Sequence, residues 1–477
     1  MKKYEVMIGL EIHAELNTKT KIYCSCENRF GGEGNSRCCP VCAGMPGALP
    51  SLNRKVVEYA IRMGHAASCE IAPVLKQDRK NYFYPDLPKA YQISQHDIPL
   101  CQNGFLEYLH EGKIKRVGIR QIHIEEDAGK LLHQEGFPAT LIDLNRCGVP
   151  LIEIVTEPDL RSSSEAKEFL ESVRLMLLYL GISDCKMQEG SIRCDVNVSV
   201  RPEGSARLGT RCEMKNVNTF SGAGRAIDFE AARQMAILEA GGEIIQETRR
   251  WEDEKGKSTL LRSKENAMDY RFFPEPDIPA IALPHSWIEE IKKDLPELPL
   301  QKMLRYMKEY ALGEKEAMQL VAEVDRSAYF DECVCINKRL SKNAAHWILG
   351  EISKLLHDRE IDISEFGVEP ERLMALLALL DQGMLSGSSA KKILAIMQEE
   401  PLQPEEIMER EGLCQSNDQN EMIAVVEQVL NANPKAVAEY RIGRTKAMGF
   451  LMGQCMAQSK GKGNPQIIKN LLSERLK

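Results

Sequence analysis

No apolar run in this chain is long enough to cross a bilayer. Its longest uncharged apolar stretch, Leu373 to Leu380, falls far short of the roughly 18 residues that a membrane helix needs. No phosphate-binding P-loop is present, because Gly256-Lys257-Ser258 lacks its leading glycine and position 251 is Trp. No G-x-G-x-x-G follows a strand pattern, and neither a G-x-S-x-G elbow nor an H-E-x-x-H occurs. Those absences exclude the common motif routes to nucleotide, serine-hydrolase and zinc-protease chemistry. Ser386-Gly-Ser-Ser-Ala-Lys391 is amidase-like only in composition and reads as a helix entry. Internal repeats and low-complexity tracts are absent. The first residues place Glu5 and Glu11 inside their apolar stretch, which argues against a signal peptide.

What is present is a chain of 477 residues, 43% hydrophobic and 28% charged, enough for several domains with a substantial core. Fifteen cysteines, an odd number, fit a reducing cytoplasm with most thiols free. The net charge of −8 argues against nonspecific polyanion binding, but it hides an asymmetry. Arg359 to Leu430 carries 15 acids and 5 bases, a net of −10, whereas Asn431 to Lys477 carries 9 bases and 2 acids, a net of +7. A basic module on an acidic body is suited to a nucleic-acid contact, since Lys and Arg displace counterions from phosphates.

Chemistry-bearing residues concentrate in the first half. Val6, Ile8, Leu10 and Ile12 alternate with Gly9, Glu11, His13 and Glu15, the period of a strand with one polar face. Glu11 and His13 then leave that strand on the same side and can offer two ligands to one cation. A second acidic constellation lies in Arg120-Gln-Ile-His-Ile-Glu-Glu-Asp-Ala-Gly-Lys130, where a strand runs into Glu125, Glu126 and Asp127. Adjacent carboxylates repel unless a cation or water screens them, so the two stretches are expected to meet around a divalent ion.

Cys24, Cys26, Cys39 and Cys42 form C-x-C, twelve residues, then C-x-x-C around a Gly-rich loop. That spacing suits a tetrahedral structural Zn²⁺, with Cys38 able to replace Cys39. Arg79 to Gln95 packs three Tyr, two Pro and three cationic groups into seventeen residues. Pro85 and Pro88 forbid a helix there, which leaves a rigid loop presenting Lys80, Tyr82, Tyr84, Asp86 and Lys89 to a nucleotide or an aminoacyl-adenosine end. Arg146, at a Gly/Pro-flanked bend, can hold a phosphate or pair Asp143. Along Gly190 to Val200 the residues Arg193, Asp195, Asn197 and Ser199 share one face, and Glu213 and Lys215 alternate in the same way, so each face is either solvated or lines a site. Glu247 sits in a further short strand. Lys80, Arg146 and Lys215 are candidates for phosphate neutralisation.

The pattern predicts helices over 53–67, 162–181, 222–240, 337–356, 371–380 and 390–398, with later ones opened at Asn433-Pro434, Thr445 and Asn464-Pro465. Lys460-Gly-Lys-Gly-Asn464 reads as a mobile basic turn. The expected class is therefore α+β: a strand-rich cradle over 1–293, an all-α helical domain over 294–404 and a basic helical tail over 405–477.

At Ile8-Gly-Leu-Glu-Ile-His13, the cysteine quartet, Arg79-Lys-Asn-Tyr-Phe-Tyr-Pro-Asp-Leu-Pro-Lys89 and Ile124-Glu-Glu-Asp-Ala-Gly-Lys130, the chain resembles the B-subunit family of glutamine-dependent aspartyl/glutamyl-tRNA(Asn/Gln) amidotransferases. The resemblance continues through Asp143-Leu-Asn-Arg146, Glu189-Gly-Ser-Ile-Arg193, Gly209-Thr-Arg211, Lys215-Asn216 and Asp269-Tyr-Arg271 into the basic tail. It implies a C–N bond-forming ligase of the EC 6.3.5 class within a heterotrimer. An amidase-type A subunit would release ammonia from glutamine, and a small C subunit would complete the assembly. This chain would use ATP to phosphorylate the side-chain carboxylate of misacylated Glu-tRNA(Gln) or Asp-tRNA(Asn), and ammonia would displace the phosphate. The resemblance implies Mg²⁺ at Glu11, His13 and the Glu125/Glu126 pair, to which Glu247 is added here as a further candidate ligand. A noncatalytic zinc-containing tRNA-binding scaffold is the alternative, and convergence of Glu11, His13 and Glu126 on one cavity is what separates the two.

Overall fold

The computed structural model describes residues 3–133, 136, 138–263, 269–415, 419–442, 444–459 and 463–476. Its strands, in chain order, are β1 (Tyr4–Glu15), β2 (Glu70–Ile71), β3 (Val74–Leu75), β4 (Asp78–Asn81), β5 (Tyr91–Ser94), β6 (Cys101–His110), β7 (Lys113–Glu126) and β8 (Lys130–His133). They continue with β9 (Thr140–Asp143), β10 (Pro150–Thr156), β11 (Ile192–Pro202), β12 (Cys212–Val217), β13 (Glu247–Glu252), β14 (Lys257–Ser263), β15 (Phe273–Pro274) and β16 (Ile281–Ala282). Almost everything after these strands is helical, which makes the fold α+β as expected.

β1 organises the first half because its alternation is strict. Ile8, Leu10, Ile12 and Ala14 are buried, and the residues between them point the other way. Each large aliphatic side chain so buried contributes about 1.5–3 kcal/mol. A one-residue slip would expose all of them and drive Glu11 and His13 into the core, so the register is firmly fixed. β1 lies in the middle of a nine-stranded sheet of order β14-β13-β12-β11-β1-β10-β7-β6-β2. Every pair is antiparallel except β12 and β13, which run parallel. Three helices supply the core on the apolar face: α1 (Arg54–Ala66), α2 (Ser163–Tyr179) and α3 (Phe220–Glu239). Asn53 caps α1 by accepting from the Lys55 N–H, Ser162 caps α2 from the Glu165 N–H, and Thr219 caps α3 from the Gly222 N–H. α3 therefore begins two residues before the expected Gly222, because Thr219 is a better cap than anything nearer.

Three small sheets complete this part. β15-β4-β5 is three-stranded, and β16-β3 and β8-β9 are two-stranded. The chain divides into two units, Met1–Lys302 and Met303–Lys477. In the second unit, the expected single helix over 337–356 is interrupted. A 3₁₀ turn (Lys338–Leu340) and a helix (Ser341–Trp347) lead into a π turn (Ile348–Ile352) before a last helix, Ser353–Arg359. Gly350 lies in the widened turn, where helix propensity is lowest. Ser386 caps Gly387–Glu399 through the Ser389 N–H, as the helix-entry reading required. Helices Pro434–Arg441, Lys446–Gln458 and Pro465–Arg475 start where the Pro and Thr punctuation placed them. Met422, Val426, Val429, Leu451, Cys455, Ile468 and Leu472 form a separate core under the last helices. The expected basic turn at Lys460–Lys462 lies outside the described residues.

Candidate active site: two acidic clusters on one sheet face

Opposite α1–α3, the central strands present polar side chains in register. His13 of β1 stands across from Glu153 of β10, and Glu153 stands across from His123 of β7. On the other side of β1, Glu11 faces Asp195 and His13 faces Arg193 on β11, while Asn197 faces Glu213 on β12. One row thus crosses five strands.

Within it lie two clusters of possible metal ligands, His13–Glu125–Glu153 and Glu11–Asp195–Glu213, each with its ligand atoms within 4.8 Å of one another. In the first, His13 Nε2 is 3.7 Å from Glu125 Oε1 and 3.5 Å from Glu153 Oε2. His123 Nε2 backs both acids, at 3.6 Å from Glu125 Oε2 and 3.1 Å from Glu153 Oε2. In the second, Asn197 donates to Glu11 Oε1 at 2.9 Å and Thr248 donates to Glu213 Oε2 at 2.8 Å. Lys215 bridges Asp195 and Glu213.

The electrostatics are those of crowded acids. Burial pushes the Glu11 carboxyl up, and Glu153, Glu213 and Asp195 add to that. Burial opposes protonation of His123, but Glu153 and Glu125 outweigh it and raise the imidazole to about 10. His13 is shifted up in the same sense against its own burial. Farther along β1, burial and the Asp127 charge lift Glu15 to about 7, where it can hold or release a proton near neutrality. Oxygen-rich sets with one imidazole suit Mg²⁺ or Mn²⁺, and a divalent cation would replace the protons that these groups otherwise retain.

The sequence-chosen residues divide between the two sides of the sheet. Glu11, His13 and Glu125 are on the polar row, and Lys215 borders it. Glu126 is not. It shares the side of Ile122 and Ile124, where it pairs with Lys89 and accepts from the Ile93 N–H at 2.9 Å. Strand parity dictates this, since neighbouring residues point to opposite faces. Glu247 is a second correction: its neighbour Thr248 reaches Glu213, so Glu247 turns to the α3 side and pairs with Arg249 at 2.7 Å. Glu153, Asp195 and Glu213 stand on the polar row, where neither Glu126 nor Glu247 does. Glu153 was missed, although a lone acid inside Leu151-Ile-Glu-Ile-Val155 is a detectable anomaly in a strand that is otherwise apolar.

Among the cations, Lys89 is committed to Glu126. Arg146 donates to the carbonyls of Ala128 and Gly129 at 3.0 and 2.8 Å and stands 3.6 Å from Asp127 rather than pairing Asp143. Arg193, which sequence reasoning placed only as a strand residue, holds Asp127 at 2.9 Å. Lys80 lies over the rings of Tyr270 and Tyr82, at 4.9 and 5.8 Å to the centroids. Tyr84 is half exposed.

Cys24, Cys26, Cys39 and Cys42 converge with their sulfurs within 4.8 Å of one another, and Cys38 is outside the set. The Cys42 thiol is pulled down by hydrogen bonds from Cys24 and the Cys39 N–H and by the Lys21 charge. Lys21 is buried, with Nζ donating to the Arg37 carbonyl at 2.8 Å and lying 3.8 Å from Cys42 Sγ. A cation at that place offsets the negative charge of a four-thiolate site. The loop docks on the β8–β9 end through Asn35 Nδ2 to the Ile142 carbonyl at 3.0 Å and Asn145 Nδ2 to the Glu33 carbonyl at 2.7 Å.

Comparison with known proteins agrees with this layout. Residues 6–289 match the family model of the GatB/GatE catalytic domain, and residues 328–476 match that of the GatB domain. Similar curated proteins are aspartyl/glutamyl-tRNA(Asn/Gln) amidotransferase B subunits. That of Caldicellulosiruptor bescii is 54% identical over 477 residues, 99% of both chains. Those of Thermoanaerobacter pseudethanolicus and Carboxydothermus hydrogenoformans are 50% and 48% identical, each over at least 99% of both chains. The family models and these relatives define a tRNA-dependent amidotransferase component, from the ligases of the EC 6.3.5 class that form a C–N bond with glutamine as amide donor. The chain belongs to the family of aspartyl/glutamyl-tRNA(Asn/Gln) amidotransferase B subunits, which act in ATP-dependent amidation of misacylated tRNA. No helix among the described residues is long and apolar enough to cross a membrane.

Proposed function

We propose that the polar row is where the side-chain carboxylate of misacylated Glu-tRNA(Gln) or Asp-tRNA(Asn) is activated. The observation that carries this is the convergence of His13, Glu125 and Glu153 beside Glu11, Asp195 and Glu213 on one rigid sheet face. Each cluster would hold one Mg²⁺, which when bound screens the charge between nucleotide phosphates and substrate carboxylate. Asn197 and Thr248 orient the acids, and His123 holds Glu125 and Glu153 in place from behind. Lys215, which bridges Asp195 and Glu213, would be the cation on this row available to phosphate oxygens if those acids held the metal.

In the reaction a substrate carboxylate oxygen bonds to the γ-phosphorus of ATP, the bond to the bridging oxygen breaks and ADP leaves. The ammonia lone pair then adds to the acyl carbon, phosphate departs and a nitrogen-bound proton is lost, which gives the amide. Ammonia would come from an amidase-type A subunit held with a small C subunit in a heterotrimer. The basic tail would contact tRNA phosphates. Zn²⁺ at the four cysteines would be structural, and the chain would work in the cytoplasm.

Glu126 does not join Glu11 and His13, so the convergence expected of those three residues is not met. What favours catalysis over a noncatalytic scaffold is instead the meeting of His13 with Glu125 and Glu153 beside Glu11, Asp195 and Glu213, a row of acids that a scaffold does not need. The test is the copurified trimer with Glu-tRNA(Gln) or Asp-tRNA(Asn), ATP, Mg²⁺ and glutamine. Glu125→Gln is expected to abolish amidation while glutamine hydrolysis persists, and full amidation by that variant overturns the assignment.

A further inference from the structure

The small sheet β15-β4-β5 carries a group of side chains that the metal chemistry does not use. Tyr82 and Tyr270 meet edge to face with centroids 6.0 Å apart, and Tyr270 meets Phe272 in the same way at 6.1 Å. His96 stacks on Phe272 at 4.0 Å with planes 7° apart. Lys80 lies between the two tyrosines, and no carboxylate among the described residues lies within ion-pair distance of it. Beside this group Phe83 is 84% exposed, an expensive position for a phenyl ring with no partner.

The sheet is joined to the catalytic strand. Gln92 Nε2 donates to the Glu126 carbonyl at 2.7 Å, and Ser94 Oγ donates to Glu125 Oε2 at 3.3 Å. The Tyr82 phenol is within electrostatic reach of Glu125 and Asp127. Tyr82 is thus the ring within reach of Glu125, and His96, two residues beyond β5, is exposed. Between Tyr270 and Phe272, Arg271 has φ 42°, a conformation that an L side chain adopts only against a steric penalty. Asn81 Nδ2 to the Arg271 carbonyl, at 2.8 Å, and the Arg271 N–H to Asp269 Oδ1, at 3.0 Å, hold it there. That constraint fixes the direction of both flanking rings.

We propose that Tyr82, Tyr270, Phe272 and His96 form a stacking shelf for the 3′-terminal nucleoside of the acyl-tRNA, with Lys80 on the adjoining phosphate. The stacked nucleoside aims the esterified side chain at the acidic clusters, so the proposal rests on the reading of those clusters as the amidation site. Partly exposed rings interleaved with a cation are a means by which single-stranded nucleotides are held. An enclosed pocket, by contrast, is what small nucleotides usually occupy.

The test uses the assembled complex and labelled deacylated tRNA, either complete or lacking only its terminal adenosine. Removing the adenosine weakens binding to the unaltered enzyme by about tenfold, within the range of one base–aromatic stack. In Phe272→Leu and Tyr270→Ala the complete tRNA binds as weakly as the shortened one, and KM for ATP stays within about twofold. Phe272→Tyr restores the discrimination, which a merely structural ring would not require. Equal binding of both tRNAs by the unaltered enzyme overturns the shelf. So does discrimination kept by the variants, or a rise confined to KM for ATP. If Tyr270→Ala fails to assemble, Phe272→Leu and Phe272→Tyr still decide. Glu125→Gln separates the two readings: amidation retained there refutes the site, whereas the binding comparison is unaffected by that outcome.

Discussion

Glu153→Gln tests the row most directly. Glu153 lies between two imidazoles, 3.5 Å from His13 Nε2 and 3.1 Å from His123 Nε2. His123 is raised from 6.5 to about 10, with Glu153 the largest charge acting on it. A displacement of that size corresponds to about 5 kcal/mol between the protonated and neutral forms, and the amide removes the leading favourable contribution while burial still opposes protonation. Without added divalent metal, His123 of the unaltered protein stays protonated past neutrality, and in the variant it titrates lower. The sign follows. A raised imidazole contributes stability that is fully present below its unfolded value of about 6.5 and is lost as pH rises through about 10, so the unaltered protein loses stability on the alkaline side and the variant loses less of it. Function should suffer more than fold. Substituting groups that only orient a ligand lowers metal affinity 10–100-fold, so loss of a ligand itself should reach at least about 100-fold in Mn²⁺ binding and in amidation. Histidine resonances followed by NMR, with His123→Asn as the assignment control, read the first effect, and Mn²⁺ titration reads the second. Unaltered Mn²⁺ affinity together with full amidation would falsify the arrangement.

Glu126→Gln, on the opposite side of the sheet, should leave Mn²⁺ affinity within about threefold, because it touches Lys89 and not the clusters; a hundredfold loss would restore Glu126 to the metal. Cys39→Ala should remove bound zinc, as read by metal analysis, and lower the melting temperature, while Cys38→Ala retains it; the reverse pattern would assign the fourth sulfur to Cys38. Arg193 and Arg146 hold Asp127 below the usual carboxylate range against its burial, so its contribution is present above about pH 4 and fades as pH falls through the lower folded value. Asp127→Asn should flatten that acid limb and destabilise the protein by roughly 3 kcal/mol, and an unchanged acid unfolding curve would contradict the pairing. Reversing Lys435, Arg441 and Lys446 to Glu together should lower the slope of log affinity against log salt for tRNA by up to about 3. An unchanged slope would mean that these residues are only surface.

How far the sequence could be read depended on the range of the information needed. The cysteine set is local in spacing, so its four sulfurs were foreseen, and only the choice between Cys38 and Cys39 needed coordinates. The polar side of β1 was legible because Ile8, Leu10 and Ile12 leave no other parity for Glu11 and His13. The same rule, applied to Ile122 and Ile124, separates Glu125 from Glu126, so that error was avoidable. Glu153, Asp195 and Glu213 are different. Each was visible as a polar residue on a strand, or as a lone acid, but only pairing over more than a hundred residues sets His13 opposite Glu153. Glu247 was misplaced because its strand is short and pairs parallel to β12, which alternation alone does not reveal. Helix ends followed the caps, and the break at Gly350 did not, because nothing local distinguishes a tolerated glycine from a π turn.

The ligands of both clusters come from the interiors or ends of strands in a single hydrogen-bonded sheet, not from loops. Moving one of them far would require breaking the ladder that sets its height and tilt. On the proposed function the anvil is therefore stationary, and turnover brings the reactants to it. What opens, closes or swings between one acyl-tRNA and the next then belongs to the substrate, the surrounding loops or the proposed partner subunits.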